Sequence, residues 1–116
     1  MKKYAALLAL LAFVSVLAAG LGTAAPQGTV MVKETNFKII MAGTAKAGST
    51  TFVVKNASNL PHDFAIKGPG VSKKTPKIKP GGTARLTVTL RKGKYQVWCS
   101  VSGHSSLGMK RTISAV

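Results

Sequence analysis

From about residue 28 onward the chain alternates apolar and polar residues in short runs, broken by Gly, Pro, Asn and Ser. A period of two predicts strands with one buried face, and the breakers mark turns. The clearest run is 83–90, with Ala84, Leu86, Val88 and Leu90 inward and Arg85, Thr87 and Thr89 outward. Residues 30–32 and 37–40 predict two early strands, which would place Met31 and Met41 in the core. Residues 50–56 form another, with Phe52 and Val54 on one face. In 62–67, His62, Phe64 and Ile66 alternate with Asp63, Ala65 and Lys67. Segment 71–79 is basic and irregular, with one short strand expected near Lys77. Residues 94–99 and 109–115 complete the set, and Tyr95, Val97 and Cys99 share one parity. No stretch of this region carries a 3.6-residue apolar period. Seven to eight short strands at this spacing predict an all-β fold, a Greek-key β-sandwich of two sheets.

The first residues break the pattern. Lys2 and Lys3 precede a charge-free apolar run from Leu7 to Val16, followed by small residues up to Ala25. This order of basic, apolar and small residues is that of a secretory signal peptide, assigned to 1–25, with cleavage after Ala18, Ala19 or Ala24. A retained anchor is the alternative, because 7–25 is just long enough to span a bilayer. The single domain is then 26–116. The protein is expected to be exported, periplasmic or extracellular, and membrane-associated if the leader stays.

Charge changes the picture next. The chain has 17 Lys and Arg against 2 acidic residues, a net charge of +15. Without Lys2 and Lys3 the net charge is about +13. The basic residues are scattered rather than gathered in a tail or helix. They solvate the surface and discourage edge-to-edge strand pairing. They also suit electrostatic steering toward a redox protein with an acidic docking surface, or toward an anionic membrane surface. Nucleic acid is a poor partner for an exported chain with so few aromatics. A monomer is expected.

The candidate chemistry is concentrated in one stretch. Cys99, His104 and Met109 lie in the order Cys-x4-His-x4-Met between two predicted strands, and Cys99 is the only cysteine. A thiolate, an imidazole and a thioether are ligands for a soft or borderline metal, copper above all. The second histidine, His62, lies in strand-like sequence upstream. Two His and one Cys with a weak axial Met form a blue-copper ligand set. Taken singly, Cys99 reads as a small buried hydrophobe and Met109 as a gap filler. His62 reads as a hydrogen-bonded core residue and His104 as a loop residue. All four ordinary readings must hold together to remove the metal. A domain of about 90 residues without a disulfide is also short of core, and a bound metal adds its binding free energy to folding.

The segment from Gly93 to Ile113, with Val97-Trp-Cys99, Gly103-His104 and Gly108-Met109, resembles the C-terminal ligand loop of the cupredoxins, the plastocyanin-like proteins. Phe52-Val-Val-Lys-Asn56 followed by Leu60-Pro-His62-Asp63-Phe64 resembles the family's first ligand region, and Pro80-Gly-Gly-Thr-Ala-Arg-Leu86-Thr-Val88 the strand that precedes the ligand hairpin. The resemblance covers about residues 28 to 116. It implies one copper ion cycling between Cu(I) and Cu(II), bound by His62, Cys99, His104 and Met109. It also implies that Asp63 ties the two ligand loops together through Ser100. His104 would lie near the surface within an apolar patch to which Leu60, Pro61 and Leu107 are candidates. Ser102 stands where relatives often carry Pro, which leaves the loop less rigid.

Four protein ligands leave no open position for substrate, which argues against an enzyme. A Cys99–His104 nucleophile pair would lack an orienting acid or amide. The expected function is a one-electron carrier. The alternatives are a copper-binding accessory protein for delivery, storage or tolerance, and a structural zinc module.

Overall fold

The computed structural model describes residues 28–116. The leader assigned to 1–25 lies outside the described residues. Among the described residues nine strands form two sheets: β1 (Gly28–Thr35), β2 (Lys38–Ile40), β3 (Thr44–Ala45), β4 (Gly48–Asn56), β5 (Ala65–Gly68), β6 (Val71–Lys74), β7 (Thr83–Leu90), β8 (Gly93–Trp98) and β9 (Lys110–Ala115). One sheet has the order β2-β1-β4-β7, the other β3-β9-β8-β5-β6. The chain crosses between the sheets from β2 to β3, from β3 to β4, from β4 to β5, from β6 to β7 and from β7 to β8, in the manner of a Greek-key sandwich. β1 runs parallel to β4, and β3 runs parallel to β9. No helix among the described residues is long and apolar enough to cross a membrane.

Alternation builds the core as expected. Val32, Phe52, Val54, Val88 and Leu90 come from the first sheet, and Ile66, Tyr95, Val97 and Ile113 from the second. Phe52 and Phe64 meet across the interior with ring centroids 5.3 Å apart. Burial of each such side chain contributes about 1.5–3 kcal/mol. Tyr95 is buried at the end of the sandwich remote from Cys99 along β8. Its hydroxyl accepts from the Arg91 N–H and donates to the Arg91 carbonyl. Its ring lies against Gly68, where a Cβ would sit 2.3 Å from the ring.

Four expectations need correction. Met31 is 65% exposed, not core. The inward parity of β1 belongs to Val32 and Glu34, so Met31 points outward, at the same register as Val53 of β4. Met41 lies beyond β2 and only lines the core from the side. In the basic segment the strand is at Val71–Lys74, because it closes a hairpin with β5, while Ile78 makes only an isolated bridge with His62. The strand expected over 62–67 starts at Ala65, so both parities of 62–66 are buried. Thr44–Ala45 adds a two-residue strand too short to show as a pattern.

Both acidic side chains are buried, Glu34 at 0% and Asp63 at 3% exposure. The described surface therefore shows no side-chain carboxylate, and its charged side chains are all cationic.

Candidate metal centre

The link between β8 and β9 carries three of the four expected ligands. The Cys99 N–H donates to the Met109 carbonyl at 3.0 Å, and the Met109 N–H donates back to the His104 carbonyl at 3.2 Å. A single 3₁₀ turn, Ser105–Leu107, folds the far side of the loop. Gly108 follows at φ +124°, a conformation open to glycine, and a Cβ there would sit 3.1 Å from the Phe37 carbonyl. These bonds place Met109 beside Cys99 and His104 with its side chain fully buried.

His62 arrives from the other direction, through the crossing from β4 to β5. Asn56, fully buried at the end of β4, shapes that crossing. Its Nδ2 donates to the carbonyls of Leu60 and Ile78, both at 2.8 Å. Its Oδ1 accepts from the N–H and hydroxyl of Ser58. The backbone of His62 is then held by Ile78 on both sides, N–H to carbonyl and carbonyl from N–H. A buried amide that satisfies four partners fixes where the next turn delivers its side chain.

The two segments meet at three donor atoms. His62 Nδ1 and His104 Nδ1 are 3.0 Å apart. Cys99 Sγ lies 3.8 Å from the first and 3.7 Å from the second. The point equidistant from all three is about 2 Å from each, the length of a metal–imidazole bond and somewhat short of a metal–thiolate bond. Two nitrogens and a sulfur at the corners of such a triangle, with a buried thioether residue alongside, fit one copper ion. His62 and Cys99 are fully buried; His104 is half-buried and reaches the surface.

Burial pushes the Cys99 thiol above its ordinary pKa, while backbone N–H groups of Asp63 and Val101 pull it down. The Asp63 N–H donates to Sγ at 3.4 Å. A metal that binds here must displace the thiol proton. Burial, and then the neighbouring His104, lower the His62 pKa, with Asp63 acting the other way. The downward shift favours the neutral ring, the form that can ligate a metal.

The Asp63–Ser100 tie is present. Asp63 Oδ1 accepts from the Ser100 N–H at 2.6 Å, and Oδ2 from the Ser100 hydroxyl. Leu60, Pro61 and Leu107 are all exposed. Trp98 stands half-buried on the outer face of its sheet, beside Lys67 and Lys110.

Three residues near the site were not singled out in the sequence for this role. Asn36 Oδ1 lies 3.0 Å from His62 Nε2. Phe37 packs edge-on against both histidines, with centroids 5.2 Å from His104 and 6.4 Å from His62. Both sit in the turn between β1 and β2, and an Asn followed by Phe there signals only a turn. Glu34 is buried with neither carboxyl oxygen bonded. Burial, with Asp63 adding to it, raises its pKa to about 8. Its inward parity with Val32 was the available signal.

A family model described as a cupredoxin-like domain matches residues 4–109. The iron uptake system component EfeO of Yersinia pestis is 33% identical over 76 residues, which are 65% of this chain and 20% of that protein. The chain thus spans about a fifth of the length of the curated relatives it matches. Among solved structures, dithionite-reduced auracyanin from Roseiflexus castenholzii superposes with a TM-score of 0.63 at 20% identity, covering 80% of this chain and 98% of that one. Auracyanin A, a blue copper protein from Chloroflexus aurantiacus, gives 0.65 at 17% identity, covering 78% and 100%. At these identities the structures show a shared fold.

Proposed function

Because the chain belongs to the cupredoxin family, we propose that it is an exported type 1 copper protein that carries one electron at a time. The observation that carries this reading is the convergence of one thiol and two imidazole nitrogens on a common centre from two separate segments. Bound copper supplies a one-electron couple, Cu(I)/Cu(II). We assign His62 Nδ1, His104 Nδ1 and Cys99 Sγ as the strong donors and the Met109 thioether as the weak one. The tie from Asp63 to Ser100, the Asp63 N–H on Sγ and the Asn56 hub hold the donors in place. A site that does not rearrange suits both oxidation states. Four protein donors leave no position for a substrate, which supports a carrier rather than an enzyme.

His104 is the donor that reaches the surface, flanked by Phe37 and three residues before the exposed Leu107 of its own loop. That is the route by which an electron would leave. The cationic surface would draw a redox partner with an acidic face.

A second reading, a copper-binding accessory protein for delivery or storage, is favoured by the likeness to a component of a metal uptake system. One experiment separates the two. The purified domain is loaded with Cu(II) and examined for an intense visible thiolate-to-copper band and reversible reduction. Both are expected, and both should vanish in Cys99→Ser. A colourless protein that hands Cu(I) to an acceptor would favour delivery.

A further inference from the structure

We infer that Asn36 is a positioning residue that selects the metal-binding tautomer of His62, and that Asn59 sets which end of the Asn36 amide faces the ring. This deepens the copper-site reading and rests on His62 being a ligand.

A neutral imidazole carries one N–H. With the proton on Nδ1, His62 has no lone pair for the centre it shares with Cys99 and His104. With the proton on Nε2, the Nδ1 lone pair is free. The group facing Nε2 decides between them, because the hydrogen bond made by one ring nitrogen sets the state of the other. That group is Asn36 Oδ1, 3.0 Å away. It can only accept, so it holds the proton on Nε2.

An asparagine amide can face either way, and its Nδ2 toward the ring would select the opposite tautomer. Asn36 Nδ2 is engaged elsewhere, donating to Asn59 Oδ1 at 2.7 Å. The order Asn59 Oδ1, Asn36 Nδ2 and Oδ1, His62 Nε2–H runs in one sense and leaves Nδ1 as a lone pair facing His104 Nδ1 and Cys99 Sγ. It also joins the turn between β1 and β2 to the loop before His62, two segments 23 positions apart. Both asparagines are exposed, so the bonds contribute little to the core and their effect falls on the ring.

The test is made on the metal-free protein by nitrogen NMR of the histidine rings at pH 8, where His62 is neutral, and separately by Cu(I) affinity. The wild type should show His62 as Nε2–H. Asn36→Leu, which removes the acceptor, should mix the tautomers and weaken Cu(I) binding 10–100-fold, the usual effect of losing such a partner. Asn36→Asp should restore both. Asn59→Lys, a donor in place of an acceptor, should turn the Asn36 amide and shift His62 toward Nδ1–H. The thermal midpoints of all four proteins should agree closely. An Nδ1–H ring in the wild type, or an unchanged tautomer and affinity in Asn36→Leu, would overturn the inference. The tautomer is read without copper, so its outcome is separate from the colour test on Cys99→Ser.

Discussion

The carboxylate of Asp63 grips Ser100 at two points, the backbone N–H and the hydroxyl, and so locks the residue after one donor cysteine to the residue after one donor histidine. The bond joins segments 37 positions apart, and the Asp63 N–H donates to the sulfur itself. Asp63→Ala should cost about 2–4 kcal/mol, the scale of losing charge-assisted bonds at a buried site. Asp63→Asn keeps an acceptor for the Ser100 N–H but removes a negative charge beside the thiolate. A negative charge favours the more positive, oxidised centre. The reduction potential of Asp63→Asn should therefore rise, as read by a spectroelectrochemical titration. An unchanged potential would mean that the charge is not felt at the centre.

Glu34 makes stability depend on pH. Its pKa is about 8 in the folded protein against 4.5 as the ordinary value. Between those values the unfolded chain has released a proton that the folded protein keeps, so stability falls as pH rises, by up to about 1.4 kcal/mol per pH unit. Glu34→Gln has no such proton. Urea denaturation of both metal-free proteins should show the variant gaining on the wild type from pH 5 to pH 8. A constant difference over that range would place the titration elsewhere.

Copper should stabilise the fold. A ligand at a thousand times its dissociation constant adds about 4 kcal/mol. The unfolding midpoint of the loaded protein should rise accordingly, and the rise should be lost in Cys99→Ser and reduced in Met109→Leu.

With both carboxylates inside, the cationic surface would attract an acidic partner over a distance set by salt. The Debye length falls from about 30 Å at 0.01 M to about 8 Å at 0.15 M. The rate of electron exchange with an acidic redox protein should drop steeply over that range. Exchange with a small neutral reagent should not. Equal dependence in both cases would argue against steering.

Gly68→Ala tests the far end of the sandwich. The added methyl would overlap the Tyr95 ring, which is pinned by its hydroxyl bonds to Arg91. A loss of about 1–3 kcal/mol is expected from overpacking, measured by thermal unfolding, with the visible spectrum of the copper form unchanged.

Much of the site was legible because covalent neighbours stay neighbours in a tight loop. Cys99, His104 and Met109 share one strand-to-strand link, and their chemistry alone names a metal. Strand parity correctly placed Val97 and Cys99 inward. Parity failed at Met31, because a run of three apolar residues does not say which neighbour faces in. It failed again over 62–66, where a crossing segment between sheets is covered on both sides. Asn36 and Phe37 carry no signal of their role, and Glu34 only its inward parity with Val32.

The chain by itself determined the all-β class, most of the strands and the donor types, since these follow from period, turn residues and side-chain chemistry, which are local. Tertiary structure alone decided that His62 Nδ1 lies 3.0 Å from His104 Nδ1, that Asn36 Oδ1 faces the ring's other nitrogen, and that Asp63 is interior. Those facts depend on how two sheets stack and where a crossing loop lands. Packing between segments distant in sequence sets them, and no local pattern encodes it.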